Sequence, residues 1–184
     1  MNTQPATSPR PPGAPPDAAR WKRPPWLKVM LPCLVTTIAA LVFFYPVLSG
    51  TFHIDDWFTC DTPIGVRGCL KVFIGEWSHG ETGMGGFYRP LGRVLFELDR
   101  RLYGGWAGGY HLTNLILHIA NAVACFWLFS IALGVHKSQD QSPEFTAAFF
   151  GAFFFVVFPT NVEPVYWISA RTGLIAAFFV ILAR

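Results

Sequence analysis

Apolar residues in this chain gather in long, nearly uninterrupted blocks, where a water-soluble helix would show a stripe broken by polar positions every three or four residues. The hydrocarbon core of a bilayer takes about 20 apolar residues per helix. By that measure the pattern predicts four spans, over 27–48, 110–134, 145–158 and 165–183. The first block carries no charge after Lys28, and Pro32 and Pro46 sit near its ends, where a missing N–H costs least. It exceeds the apolar stretch of a signal peptide and no small-residue cleavage site follows it, so it reads as a retained helix. The fold class is therefore an all-α polytopic membrane protein with about four transmembrane helices.

Between the first two blocks lies a long polar loop, 50–109. It opens with Phe52-His53-Ile54-Asp55-Asp56-Trp57, crosses a short apolar segment at 70–77 and a glycine-rich stretch at 80–86, and reaches Tyr88-Arg89-Pro90-Leu91. Pro90 suits the first position of a helix. Leu91, Leu95, Leu98 and Leu102 then recur on one face, with Arg93, Glu97 and Arg101 on another. That spacing predicts an amphipathic helix over 90–103 lying in the membrane interface. Trp57, Trp77, Trp106 and Trp167 would form an aromatic belt at the same level.

Composition and charge sharpen this picture. Apolar residues make up 52% of the 184 and charged residues only 14%, against about a quarter charged in soluble domains. Residues 1–25 are rich in Pro, Ala and Ser, the composition of a disordered tail. Over 1–28, Arg10, Arg20, Lys22, Arg23 and Lys28 stand against Asp17 alone, which places the N-terminus in the cytoplasm and loop 50–109 outside. The net charge of +3 is mostly this topology signal. No basic stripe with interleaved aromatics points to nucleic acid. Cys33 and Cys125 fall inside spans. Cys60 and Cys69, in the oxidising outer loop with Pro63, Gly65 and Gly68 between them, are expected to form a disulfide.

The polar residues that could carry chemistry converge on the outer face. Asp55-Asp56, just past a membrane exit, could take a proton from a hydroxyl or hold a divalent cation; the plain alternative is a pair of solvated acids. His111, Asn114 and His118 share one helical face, where they could line a site or join helices by hydrogen bonds. Arg171, about two turns into the fourth block, needs an anion: a lipid phosphate, or Glu163 as a structural partner. Arg89, at a helix start, suits a phosphate or an interfacial anchor.

Four pieces, IDDW, YRPLGRVLFELDRRLYGG, YHLTNLILHIANAV and FPTNVEPVYWISARTGLIAAFF, occur in that order over 27–184. Together they resemble the N-terminal part of the GT-C superfamily of membrane glycosyltransferases, in the branch of protein O-mannosyltransferase-like and tetratricopeptide-repeat transmembrane O-mannosyltransferases. Phe158 and Gly173 depart from that pattern, which has His and an acid there. The resemblance implies transfer of a sugar from a polyprenyl-phosphate donor to a protein or lipid hydroxyl on the extracytoplasmic face, expected at a bacterial inner membrane. It assigns the catalytic carboxylate to Asp55 or Asp56. In that scheme Arg89 and Arg171 bind the donor phosphate, and His111 and Glu163 orient the site. No cofactor is expected beyond a possible divalent cation. Such enzymes carry eight or more spans, so the chain is expected to be a part or a shortened relative of one; a non-catalytic four-helix protein acting through a partner is the alternative.

Overall fold

The computed structural model describes residues 25–60, 63–74, 88–135 and 143–184. The tail at 1–24, the glycine-rich stretch at 80–86, Trp77 and the loop at 136–142 lie outside the described residues. Among the described residues every regular element is helical. Helix α1 runs Pro25–Phe44 and continues through a 3₁₀ turn, Tyr45–Ser49, that holds Pro46 at its start. Helices α2 (Ile54–Cys60) and α3 (Gly65–Lys71) follow in the loop 50–109. Next come α4 (Pro90–Tyr103) and α5 (Ala107–Ala132). The rest is α6 (Pro143–Val157), α7 (Val162–Tyr166) and α8 (Arg171–Leu182), with 3₁₀ turns at Pro159–Asn161 and Ile168–Ala170 between them.

Two of these segments, Val29–Ser49 and Ala107–Ala132, are long and apolar enough to cross a bilayer, and they make this a membrane protein. The expected third and fourth spans are not straight helices. Pro143–Val157 and Pro159–Tyr166 form a pair bent by 50°, a third span if counted together, and Ile168–Leu182 is a shorter apolar segment. The fourth span predicted at 165–183 therefore starts late, because Trp167 is extended (φ −94°, ψ 108°). The reason lies on α5. The side-chain amide of Asn114 donates to the carbonyls of Pro164 (3.1 Å) and Trp167 (3.2 Å), and so satisfies backbone acceptors at the break that no continuous helix could otherwise satisfy in a membrane.

Helix α5 is the central post, packed against α1, α4, α6, α7 and α8. The main apolar core joins Ala40, Phe44 and Val47 of the first segment to Leu115 and Ala122 of α5 and to Val156 and Val165. The outer surface of α1 is apolar and uncovered, with Met30, Leu34, Ile38 and Val42 all exposed, the distribution expected of a lipid-facing helix.

Helix α4 begins at Pro90 and ends at Gly104, whose positive φ of 58° is a conformation glycine adopts without strain. It is turned opposite to an amphipathic helix on a soluble protein. Leu91, Leu98 and Leu102 are exposed, whereas Gly92, Arg93, Phe96, Glu97 and Asp99 are buried. Gly92 permits the approach to α8, since a Cβ there would stand 2.7 Å from the Thr172 methyl.

Candidate functional site

The site is built where α2, α4 and the start of α8 meet beside the N-terminal end of α5. Helix α2 carries both acids in its first turn, where negative charge is favoured by the helix dipole. Asp56 is fully buried. Its Oδ2 accepts the His53 N–H at 3.0 Å, which closes the N-terminus of α2. Its Oδ1 accepts the Ser169 N–H at 2.9 Å and the Ser169 hydroxyl at 2.7 Å. Three donors thus compensate the burial of one carboxylate, as a buried charge requires. Asp55 is half-buried, one residue and about 100° further round the helix.

Arg171 is the first residue of α8, not two turns inside a helix as the apolar block suggested, and it is completely buried. Its Nη2 lies 2.6 Å from Asp99 Oδ2 and donates to the Tyr110 carbonyl at 3.0 Å. Its Nε donates to Asn114 Oδ1 at 2.7 Å, and the guanidinium carbon stands 4.5 Å above the Phe96 ring. Asp99 also accepts the Thr113 hydroxyl at 2.8 Å. Burial pushes the Asp99 carboxyl above its ordinary range, while Arg171 and Thr113 draw it down. The guanidinium therefore has no surface left for a donor phosphate, and its partner is Asp99, not Glu163.

A second charged cluster sits on the same helix. Glu97 Oε2 accepts the Arg100 Nε–H at 3.1 Å and the Ile64 N–H at 3.2 Å, while Oε1 accepts Arg100 Nη2 at 3.0 Å and Arg101 Nε at 2.8 Å. The Arg100 hydrogen bond, with Arg101 and the Ile64 N–H behind it, holds this carboxyl down at about 2 against the opposing effect of burial. Glu97 so fixes the chain before α3 to α4.

The other sequence-predicted residues are more dispersed. Arg89 is the half-buried N-cap of α4. Glu163 is exposed on α7. His111 is buried beside Gly50, where a Cβ would come within 2.7 Å of its Nε2, and its ring lies 6.4 Å from that of Tyr166. His118 is packed between Phe44 and Phe155, with Nε2 3.2 Å from the Val156 carbonyl. Cys60 and Cys69, expected to pair, are both free thiols. Cys60 points into a cluster with Phe96, Tyr110 and Ile168, where burial, with Asp56 adding to it, pushes the thiol up to about 12. A thiol so strongly protonated is a poor partner for disulfide exchange. Among the described residues no three His, Cys, Asp or Glu side chains converge to hold a metal ion. A cleft of about 290 Å³ opens beside α2, lined by Phe52, Trp57, Cys60, Arg100 and Tyr110 among others.

Asp99 and Ser169 were not singled out from the sequence. Asp99 had a usable signal, as an acid on the face of α4 beside Phe96. Ser169 had none.

These features define a polytopic helical membrane protein with an acid pair at one end of its bundle, of which Asp56 is clamped. Over 101 residues, 52% of this chain, it is 30% identical to "Protein O-mannosyl-transferase TMTC4" of Homo sapiens, covering 14% of that protein. It is 26% identical over 163 residues to the protein of the same name in Mus musculus, with 82% of this chain and 22% of the relative aligned. "Protein O-mannosyl-transferase Tmtc3" of Drosophila melanogaster is 29% identical over 101 residues, 49% of this chain and 11% of that protein. The chain thus spans less than a quarter of the length of these relatives. No family model matches it. No solved structure matches it.

Proposed function

We propose that this chain is part of a membrane glycosyltransferase that moves a sugar from a polyprenyl-phosphate donor to a protein hydroxyl on the extracytoplasmic face. Mannose is the favoured sugar, from the names of the similar proteins. The N-terminus lies in the cytoplasm, and loop 50–109 faces the opposite side. The observation that carries the reading is the division of labour within the acid pair: Asp56 is fully buried and accepts three hydrogen bonds, while half-buried Asp55 keeps solvent access on the same short helix.

Asp55 is the general base. The acceptor hydroxyl oxygen bonds to the anomeric carbon of the sugar as the bond from that carbon to the phosphate oxygen breaks. The hydroxyl proton passes to Asp55, and the electron pair leaves with the polyprenyl phosphate. Arg89, at the head of α4, offers a positive charge to that phosphate as negative charge develops on it. Exposed Glu163 orients the reactants, and buried His111 supports the site from within the bundle. Arg171 holds α8 to α4.

Transfer of labelled mannose from polyprenyl-phosphate mannose to a serine- and threonine-containing peptide, in membranes carrying the full-length protein, tests this. Loss of a general base lowers rate by about 10² to 10⁴, and Asp55→Asn is expected in that range. Undiminished transfer in Asp55→Asn overturns the assignment.

A further inference from the structure

We infer that Ser169 is a positioning residue for the acid pair, held in place by the buried Arg171–Asp99 pair behind it. The inference rests on the glycosyl-transfer reading above.

Ser169 occupies the 3₁₀ turn Ile168–Ala170, between extended Trp167 and the start of α8. The first N–H groups of a helical segment have no partner within it. The Trp167 N–H bonds back to the Glu163 carbonyl and the Ala170 N–H to the Trp167 carbonyl, whereas the Ser169 N–H is given to Asp56. The hydroxyl goes to the same oxygen. One residue therefore supplies two of the three donors that fix α2.

The turn itself cannot rotate freely. Ile168 on one side is wholly buried. Arg171 on the other is tied to Asp99, Asn114 and the Tyr110 carbonyl. Displacing Ser169 means moving a buried guanidinium away from its carboxylate, which is strongly disfavoured. Helix α4 thus anchors α8, α8 presents Ser169, and Ser169 sets Asp56. Asp55 is the next residue, on a helix of only two turns. Its reach toward an acceptor hydroxyl depends on how firmly Asp56 is held, and a displacement of about 1 Å at a reacting group can cost about 10²-fold in rate. Ser169 touches neither donor nor acceptor in this scheme, so its effect runs through geometry alone.

The test uses the full-length protein in membranes and the mannose-transfer assay. Ser169→Ala keeps the N–H and removes the hydroxyl. It is expected to lower kcat about tenfold, with KM for donor and peptide within twofold of the wild type and a small fall in melting temperature that Ser169→Thr reverses. Ser169→Thr restores a hydroxyl and is expected to return kcat to within about twofold. Wild-type kcat in Ser169→Ala, beside an inactive Asp55→Asn, overturns the inference and leaves the parent reading standing. A lowered melting temperature with no rescue by threonine also overturns it, by making Ser169 a stability residue only. Full transfer in Asp55→Asn removes the parent reading and this inference together.

Discussion

The polar residues of α5 and those of the α2–α4 layer are both buried, but they are spent on different things. Along α5, His111, Asn114, His118 and Asn121 form a fully buried seam. Three of its members bond backbone carbonyls of other segments: Asn114 those of Pro164 and Trp167, His118 that of Val156, Asn121 that of Leu174. These side chains answer backbone carbonyls, and Asn114 also accepts from the Arg171 guanidinium. In the α2–α4 layer the acceptors are carboxylates: Asp99 meets Arg171, Glu97 meets Arg100 and Arg101, and Asp56 meets three neutral donors. The seam settles where helices break, and the layer settles where carboxylates point.

Breaking the layer should cost most. Asp99→Ala leaves the Arg171 guanidinium buried without its counter-ion, for which about 3–5 kcal/mol is expected; a large fall in melting temperature in lipid nanodiscs checks it. Breaking the seam should cost less. Asn114→Leu removes three hydrogen bonds that, at about 0.6 kcal/mol each for membrane proteins, sum to about 2 kcal/mol, read in the same melting experiment. The third test separates the regions by pH. The Glu97 carboxyl sits at about 2 against its ordinary 4.5. Its contribution is thus present above about 4.5 and is lost as pH falls from there toward 2. Melting temperatures at pH 7 and pH 3 should differ less in Glu97→Gln than in the wild type, whereas Asn114→Leu should leave that difference unchanged. The smallest effect is expected at exposed Glu163: Glu163→Gln should stay within about 0.5 kcal/mol of the wild type.

Much of this arrangement was legible beforehand. The first and second apolar blocks became Val29–Ser49 and Ala107–Ala132, and the leucine spacing with Pro90 placed α4 at the observed Pro90–Tyr103. Periodicity reports faces of single helices: Leu91, Leu98 and Leu102 do share an exposed side of α4, whereas Arg93 and Glu97 are buried and Arg101 is exposed. It cannot report that Trp167 would be extended, because the cause is the Asn114 amide, 50 and 53 residues away from the carbonyls it captures. For the same reason Arg171 was paired with nearby Glu163 and not with Asp99. The acid pair was visible as a pair, but nothing local to Asp55-Asp56 says which member is clamped; that information resides at Ser169.

The Asp56–Ser169 bonds also set an order of events during synthesis. The two residues lie 113 positions apart, so a ribosome that has delivered α2 has delivered Asp56 with only its local His53 donor at hand. At about 5–20 residues per second, the remaining two donors follow roughly 6–20 s later, once the chain has passed through the membrane again and turned at Trp167. Until then Asp56 lacks two of its three donors, and α2 is held only by contacts local to it.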